Sequence, residues 1–231
     1  MSPTEGVLSQ AWGIYKTHWR HLLPIPFVVY IAVALIAILL RAILDLWLAS
    51  LLASIVSLVA TFWVQGALVK AVEDVKDGRA DLSLAETFDR VRPKLGAIIV
   101  AGILAALGIF LGLILFVVPG LVLLTWWILI VPAIVIEDRS AGEAFGRSRE
   151  LVRGYGWNVF GVIVLTILVV IGFNIVLSIL AAPFAAWVEE LISGIVGGTL
   201  TTPFVVVAWT LLYFRLRDAK QAAATPSPQP V

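Results

Sequence analysis

The chain has 231 residues, 61% hydrophobic and 13% charged, with a formal net charge of +1. A water-soluble domain carries roughly a quarter charged residues, so a soluble core of this size is excluded, and the near-neutral balance lacks the basic stripe that nucleic acid requires. With no cysteine, disulfide frameworks, thiolate metal sites and cysteine nucleophiles are excluded as well.

The amino end reads Ser2-Pro3-Thr4-Glu5: an N-cap serine, proline at the first helical position and a glutamate to close a capping box. A helix is expected from there. Leu8, Ala11, Trp12, Tyr15, Trp19 and Leu22 follow one face, with Lys16, Arg20, His18 and His21 elsewhere. Aromatic rings on one side and basic groups on the other suit the headgroup layer. The two histidines have no third histidine or carboxylate beside them, so they are assigned no metal.

The uncharged run from His21 to Leu40 exceeds the roughly 7 to 15 residues of a signal-peptide core and reads as a retained first span. Pro24 and Pro26 sit in its first turns, and Arg41 and Asp45 mark its far end. A second span runs from about Leu46 to Val69, closed by Lys70. After a polar segment over 70–94 comes Leu95 to Ile136, without one Asp, Glu, Lys or Arg and interrupted by Pro119-Gly120. A span takes about 20 residues, so this stretch predicts two spans folded at the proline. A second polar segment covers 137–153, the fifth span ends near Pro183, and the sixth runs from about Leu191 to Phe214 with Pro203 inside it. Residues 218–231 are proline-rich and expected to be disordered.

Fifteen of the sixteen Lys and Arg residues fall on one side of this pattern, and Arg41 alone on the other. Basic residues accumulate on the cytoplasmic side, which predicts both termini in the cytoplasm of a bacterial inner membrane. The expected fold is all-α: one polytopic integral membrane domain over 1–217, with six transmembrane helices as three hairpins, each preceded by a cytoplasmic amphipathic interfacial helix.

The two polar segments resemble each other. Ser83-Leu-Ala-Glu86-Thr-Phe88-Asp-Arg90 and Ser140-Ala-Gly-Glu143-Ala-Phe145-Gly-Arg147 share Ser, Glu, Phe and Arg at identical offsets. Ser and Glu predict a capping box, Glu and Arg four apart a helical ion pair, and Phe the apolar side. The amino-terminal segment fits more loosely, with Gln10 and Trp12 in place of Glu and Phe. Three units follow, 1–70, 80–136 and 138–217, although any capped helix at a headgroup layer would share these features. Repeats in membrane proteins often leave a central interface where ligands bind.

No Asp, Glu, Lys, Arg or His lies within a span, which argues against a proton relay, a voltage sensor or an ion-coupled site. The deepest polar groups are Gln65, Thr125, Thr166, Asn174 and the Thr199, Thr201, Thr202 cluster beside Pro203. Asn174 is expected to hydrogen-bond between helices, with a place in a cavity as the alternative. The threonines are expected to serve backbone freed by Pro203. Gly108 and Gly112, like Gly194 and Gly198, have the spacing of close helix packing. Neither a Ser-His-Asp set, nor clustered carboxylates, nor a glycine-rich phosphate loop is present, so no catalytic role and no cofactor are expected.

Pro119-Gly-Leu-Val-Leu-Leu-Thr-Trp126-Trp, then Pro132 through Glu137-Asp-Arg-Ser140 to Arg147 and Arg153-Gly, and the closing Thr210-Leu-Leu-Tyr-Phe-Arg-Leu-Arg217 resemble bacterial membrane proteins related to the membrane domain of glycerophosphoryl diester phosphodiesterases. The resemblance covers mainly 119–217. In that family the phosphodiesterase activity belongs to a separate barrel domain, absent from this sequence, so the resemblance implies a membrane setting and no catalytic residue. The expected partners are membrane lipids and a membrane or cytoplasmic protein. The expected role is a non-enzymatic one, organising lipid or a partner through the amphipathic helices. The alternative is a small transporter or lipid-translocating protein with a cavity lined by the uncharged polar residues.

Overall fold

A computed structural model describes residues 3–76, 81–183 and 192–224. These residues are mostly helical, with no strand among them: α1 (Val7–Leu22), α2 (Pro24–Ile43), α3 (Leu46–Lys76), α4 (Leu84–Val91), α5 (Leu95–Leu115), α6 (Val117–Trp127), α7 (Ile130–Glu137), α8 (Ala141–Val152), α9 (Gly156–Ala181) and α10 (Gly198–Ala224). A π-helical turn, Ile192–Gly197, leads into α10. Six spans are long and apolar enough to cross a membrane, which makes this an all-α, multi-pass membrane protein.

Leu35 to Leu58, Leu104 to Val118 and Leu165 to Leu180 carry large apolar side chains on the surface of α2, α3, α5, α6 and α9. Water does not tolerate a belt of this extent. The core lies toward one end. Val64, Leu68 and Ala71 of α3, Ala133 and Ile134 of α7, Leu151 and Val152 of α8, and Val207, Leu211 and Leu212 of α10 pack together there. Buried residues make up 56% of the most apolar stretch of the α10 span against 11% for α2, so α10 is the central post.

The chain starts its first helix later than the sequence predicts. Gly6, in the left-handed region at φ 67°, precedes Val7, while Ser2 lies outside the described residues. The reason is tertiary: Arg215 of α10 takes the carbonyls of Pro3 and Glu5 and, at 2.6 Å, the side-chain oxygen of Gln10, holding the stretch as a turn. This places the first residues and the carboxyl end of α10 at the same end of the bundle.

The long apolar run does not fold at its proline. α5 ends at Phe116, in extended backbone at φ −155° and ψ 136°, and Pro119 is the third residue of α6. Pro132 is likewise third in α7, and Pro26 third in α2. A proline there lacks only an N–H that has no helical partner in any case, so it follows a break and does not occupy it. The fourth span is therefore two helices, α6 and α7, parted at Ile128-Leu129. The outer helices exceed their expected ends: α3 runs beyond Lys70 to Lys76, about 46 Å at 1.5 Å per residue and longer than the bilayer core. Residues 218–224, expected to be disordered, are helical, because α10 continues to Ala224. There Lys220 donates to the carbonyl of Arg153 at 2.8 Å and Lys76 lies 3.9 Å from Asp218. Residues 225–231 are outside the described set.

Candidate functional site

Both predicted capping boxes are present. Ser83 and Ser140 share one backbone conformation (φ −65°, ψ 161° and 162°), and each hydroxyl accepts from the backbone of Glu86 or Glu143 while that glutamate accepts from the serine N–H. The Ser140 hydroxyl also donates to the Glu143 carboxylate at 2.7 Å. These bonds hold the Glu143 carboxyl below its ordinary range. A lowered value means that the stabilisation is complete above the unfolded carboxylate range and disappears as pH falls through the folded one. Ser140→Ala should therefore speed hydrogen exchange in the first turn of α8 about fivefold at neutral pH, and the difference from the parent should shrink on acidification.

The two phenylalanines of the motif also act alike. Phe88 meets Trp63 edge-on with centroids 5.2 Å apart, and Phe145 meets Trp127 edge-on at 4.9 Å. Each of these tryptophans stands ten residues before a Glu-Asp pair, Glu73-Asp74 and Glu137-Asp138, a spacing that sequence reasoning passed over. Trp12, at the looser position, stacks on Tyr15 and meets Phe204 of α10.

The helical ion pairs are not formed. Among the described residues, no ion pair links Glu86 to Arg90 or Glu143 to Arg147, because both glutamates are spent on their caps. Arg147 turns instead to Glu137 at the end of α7, with Nη2 at 2.8 Å and Nε at 2.8 and 3.0 Å, and to Glu150 at 3.1 Å. The Arg147 guanidinium is raised above its ordinary value by these carboxylates. The fully buried Tyr213 of α10 donates its hydroxyl to the same Glu137. One carboxylate thus ties α7, α8 and α10 together. Asp138, in the left-handed region at φ 55°, turns the chain so that Glu137 comes back to Arg147, and its own carboxylate pairs with Lys94 at 2.5 Å.

Ser148, completely buried, spans the α6–α7 break: its hydroxyl donates to the carbonyl of Trp126 at 2.6 Å and accepts from the N–H of Leu129 at 3.2 Å. Ser148→Val keeps the shape and strands both backbone groups, so the variant should lose about 2 kcal/mol, read as a lower Tm in detergent.

The apolar face of α8 is covered by protein, with Ala144, Leu151 and Val152 in the core. What this end offers the outside is charge and aromatic edge. Arg90, Arg92, Arg149, Arg153, Lys16 and Arg20 are exposed, and none forms a direct ion pair with a carboxylate among the described residues, Arg90 acting on Glu86 only from a distance. Arg149 lies over the Trp126 ring at 4.3 Å and Arg20 over Trp19 at 5.4 Å, and Trp157 is 86% exposed.

The uncharged polar residues do not converge. Thr125, Thr166 and Thr201 donate to the carbonyls of Leu121, Val162 and Gly197 four residues earlier, and Asn174 donates to Val170 in the same way, in place of the expected interhelical bond. Thr202 pairs with Tyr30 of α2 at 3.0 Å. Among the glycines, Gly112 meets Gly120 across the α5–α6 turn, whereas Gly194 has open space around it. Gln65 alone of the group lines the cavity of about 260 Å³ between α3, α5, α7 and α10. Beside it are Trp209 and Thr210, which the sequence reading did not single out. His21 of α1 sits 3.8 Å from Asp74, and the described residues hold no cluster of three or more metal-ligating side chains.

Comparison with models of known protein families, with curated proteins and with solved structures finds no match to this chain.

Proposed function

We propose that this is a non-enzymatic protein of the bacterial inner membrane, three hairpins with both termini cytoplasmic, whose charged end gathers anionic lipid headgroups. The observation that carries this reading is the set of exposed cations at one end of the bundle that form no direct ion pair among the described residues, Arg90, Arg92, Arg149 and Arg153 above all, interleaved with tryptophans. A cation near a membrane surface is worth about 1 kcal/mol toward anionic lipid, and tryptophan suits the headgroup level. The amphipathic helices serve the reading through their charged faces, since their apolar faces are already used in the core. The shared caps and Phe–Trp contacts support a repeated unit, and kinship with phosphodiesterase membrane domains remains part of the proposal on residues 119–217. A transporter reading draws on Gln65 and on Asn174, which lines a separate, open hollow along α9, while the threonines it would need are turned onto their own helices or paired elsewhere.

The test is lipid retention. The protein is taken from mixed phosphatidylglycerol and phosphatidylethanolamine nanodiscs into mild detergent and its bound lipid is measured by native mass spectrometry. Changing Arg90, Arg92, Arg149 and Arg153 together to Gln should cut retained phosphatidylglycerol about tenfold or more with phosphatidylethanolamine unchanged; equal retention of both lipids by parent and variant defeats the reading. Arg147 is unsuitable for this purpose, because Glu137 already holds it.

A further inference from the structure

The cavity at Gln65 has properties that the headgroup reading does not use. Its volume is about 260 Å³ and none of its lining residues is charged. It lies at the α6–α7 break, where Pro132 has no N–H to offer the carbonyl of Ile128, and both residues line it. The Gln65 amide forms no hydrogen bond among the described residues. In the wall beside it, the Thr210 hydroxyl and the Trp209 indole N–H are shut away from water and also lack partners; Thr210 is fully buried. Buried polar groups in folded proteins nearly always find partners, and each exception calls for an explanation. Of the three, only the Gln65 side chain is open to the otherwise apolar space, and its amide lacks an acceptor there; the Thr210 hydroxyl and the Trp209 N–H are closed off within the wall.

The cavity also opens in a particular direction. Ala105 and Ala106, halfway along α5, line it, and Ala106 is exposed on the outer surface of the bundle. The opening is therefore toward the hydrocarbon of the bilayer, away from the charged end. A water-soluble or charged molecule has no route through it and no counter-charge within.

We propose that this cavity binds a neutral, bilayer-soluble molecule carrying a hydrogen-bond-accepting carbonyl, which enters between α3 and α5 and is held by the Gln65 amide, the one polar side chain open to it. The apolar walls, Phe62 and Trp127 among them, take the hydrocarbon part. A compact carbonyl-bearing ring fits this volume, and so does the ester end of a neutral glycerolipid.

Menadione is the first probe, and the absence of cysteine removes the thiol addition that would complicate its use. Dioctanoylglycerol is the second, to separate ring carbonyls from ester carbonyls. The full chain in nanodiscs is titrated with each while Tm is followed, since a ligand of the folded state raises Tm in a saturable manner. One probe or both should raise it. Gln65→Leu should weaken the effect about tenfold, and Ala106→Phe should abolish it by closing the mouth. Ligand-free Tm should hold or rise in Gln65→Leu, because the change removes an amide that has no partner in the fold. The proposal fails if neither probe gives a saturable shift, if the variants respond as the parent does, or if Gln65→Leu lowers the ligand-free Tm, which would show that the amide is already satisfied within the protein.

Discussion

Glu137→Gln should be the most damaging conservative change in this chain, lowering stability by about 3 kcal/mol. Its carboxylate is only 14% exposed and receives the Arg147 guanidinium and the Tyr213 hydroxyl. Neutralising it leaves a guanidinium, itself 19% exposed, without its main counter-charge, and a buried phenol facing an amide in place of an anion. An unpaired charge in a dry setting costs far more than an ion pair contributes. The double variant Glu137→Leu, Arg147→Leu removes both charges and should recover at least half of the loss. Tm in detergent for the parent, for Glu137→Leu and Arg147→Leu singly, and for the double variant completes the cycle. A double variant as unstable as the sum of the singles would show that the two side chains act independently, contrary to the geometry.

The second large effect is expected at the α5–α6 turn. A Cβ placed on Gly120 would lie 2.5 Å from Leu113 Cγ and 2.7 Å from the Leu113 backbone nitrogen. Backbone cannot step aside as a side chain can, so Gly120→Val should cost about 2 to 3 kcal/mol through overpacking and move α6 away from α5. Gly96, earlier on α5, has nothing within 4 Å of its would-be Cβ, so Gly96→Ala should be neutral or slightly stabilising. Similar losses at both positions would mean that helix propensity, not contact, governs this region.

The spans were legible because charge is costly inside a bilayer, so each apolar run declares its own limits. Six runs in the sequence correspond to six spans in the structure. The capping boxes at Ser83 and Ser140 were legible because a cap is local: four residues decide it. Arg147 shows where local reasoning stops. Spacing joins it to Glu143, but that carboxylate is engaged by its own N-cap, and Glu137 reaches Arg147 only because Asp138 adopts a left-handed turn. Pro119 signalled one break in the long run and missed its place, and the second, at Ile128-Leu129, went unread, since a residue tolerated in a first helical turn marks the start of the next helix. Asn174 and the threonines went astray for another reason: in an apolar helix the nearest acceptor is the carbonyl one turn back, and no second helix is needed. Trp209 has no place in any motif, Thr210 only opens the closing run that ends at Arg217, and the packing of α10 against α3 is what brings them beside Gln65.

Arg215 grips the residues around Pro3, Glu5 and Gln10, and this has a bearing on biogenesis. The ribosome makes the anchored segment about two hundred residues before its clamp, which is itself carried on the central post. Until Val207, Leu211 and Leu212 emerge, the matching surfaces of the earlier spans have only lipid, an insertase or each other for cover. A nascent chain halted before that point is left open along its middle, a ready target for membrane quality-control proteases.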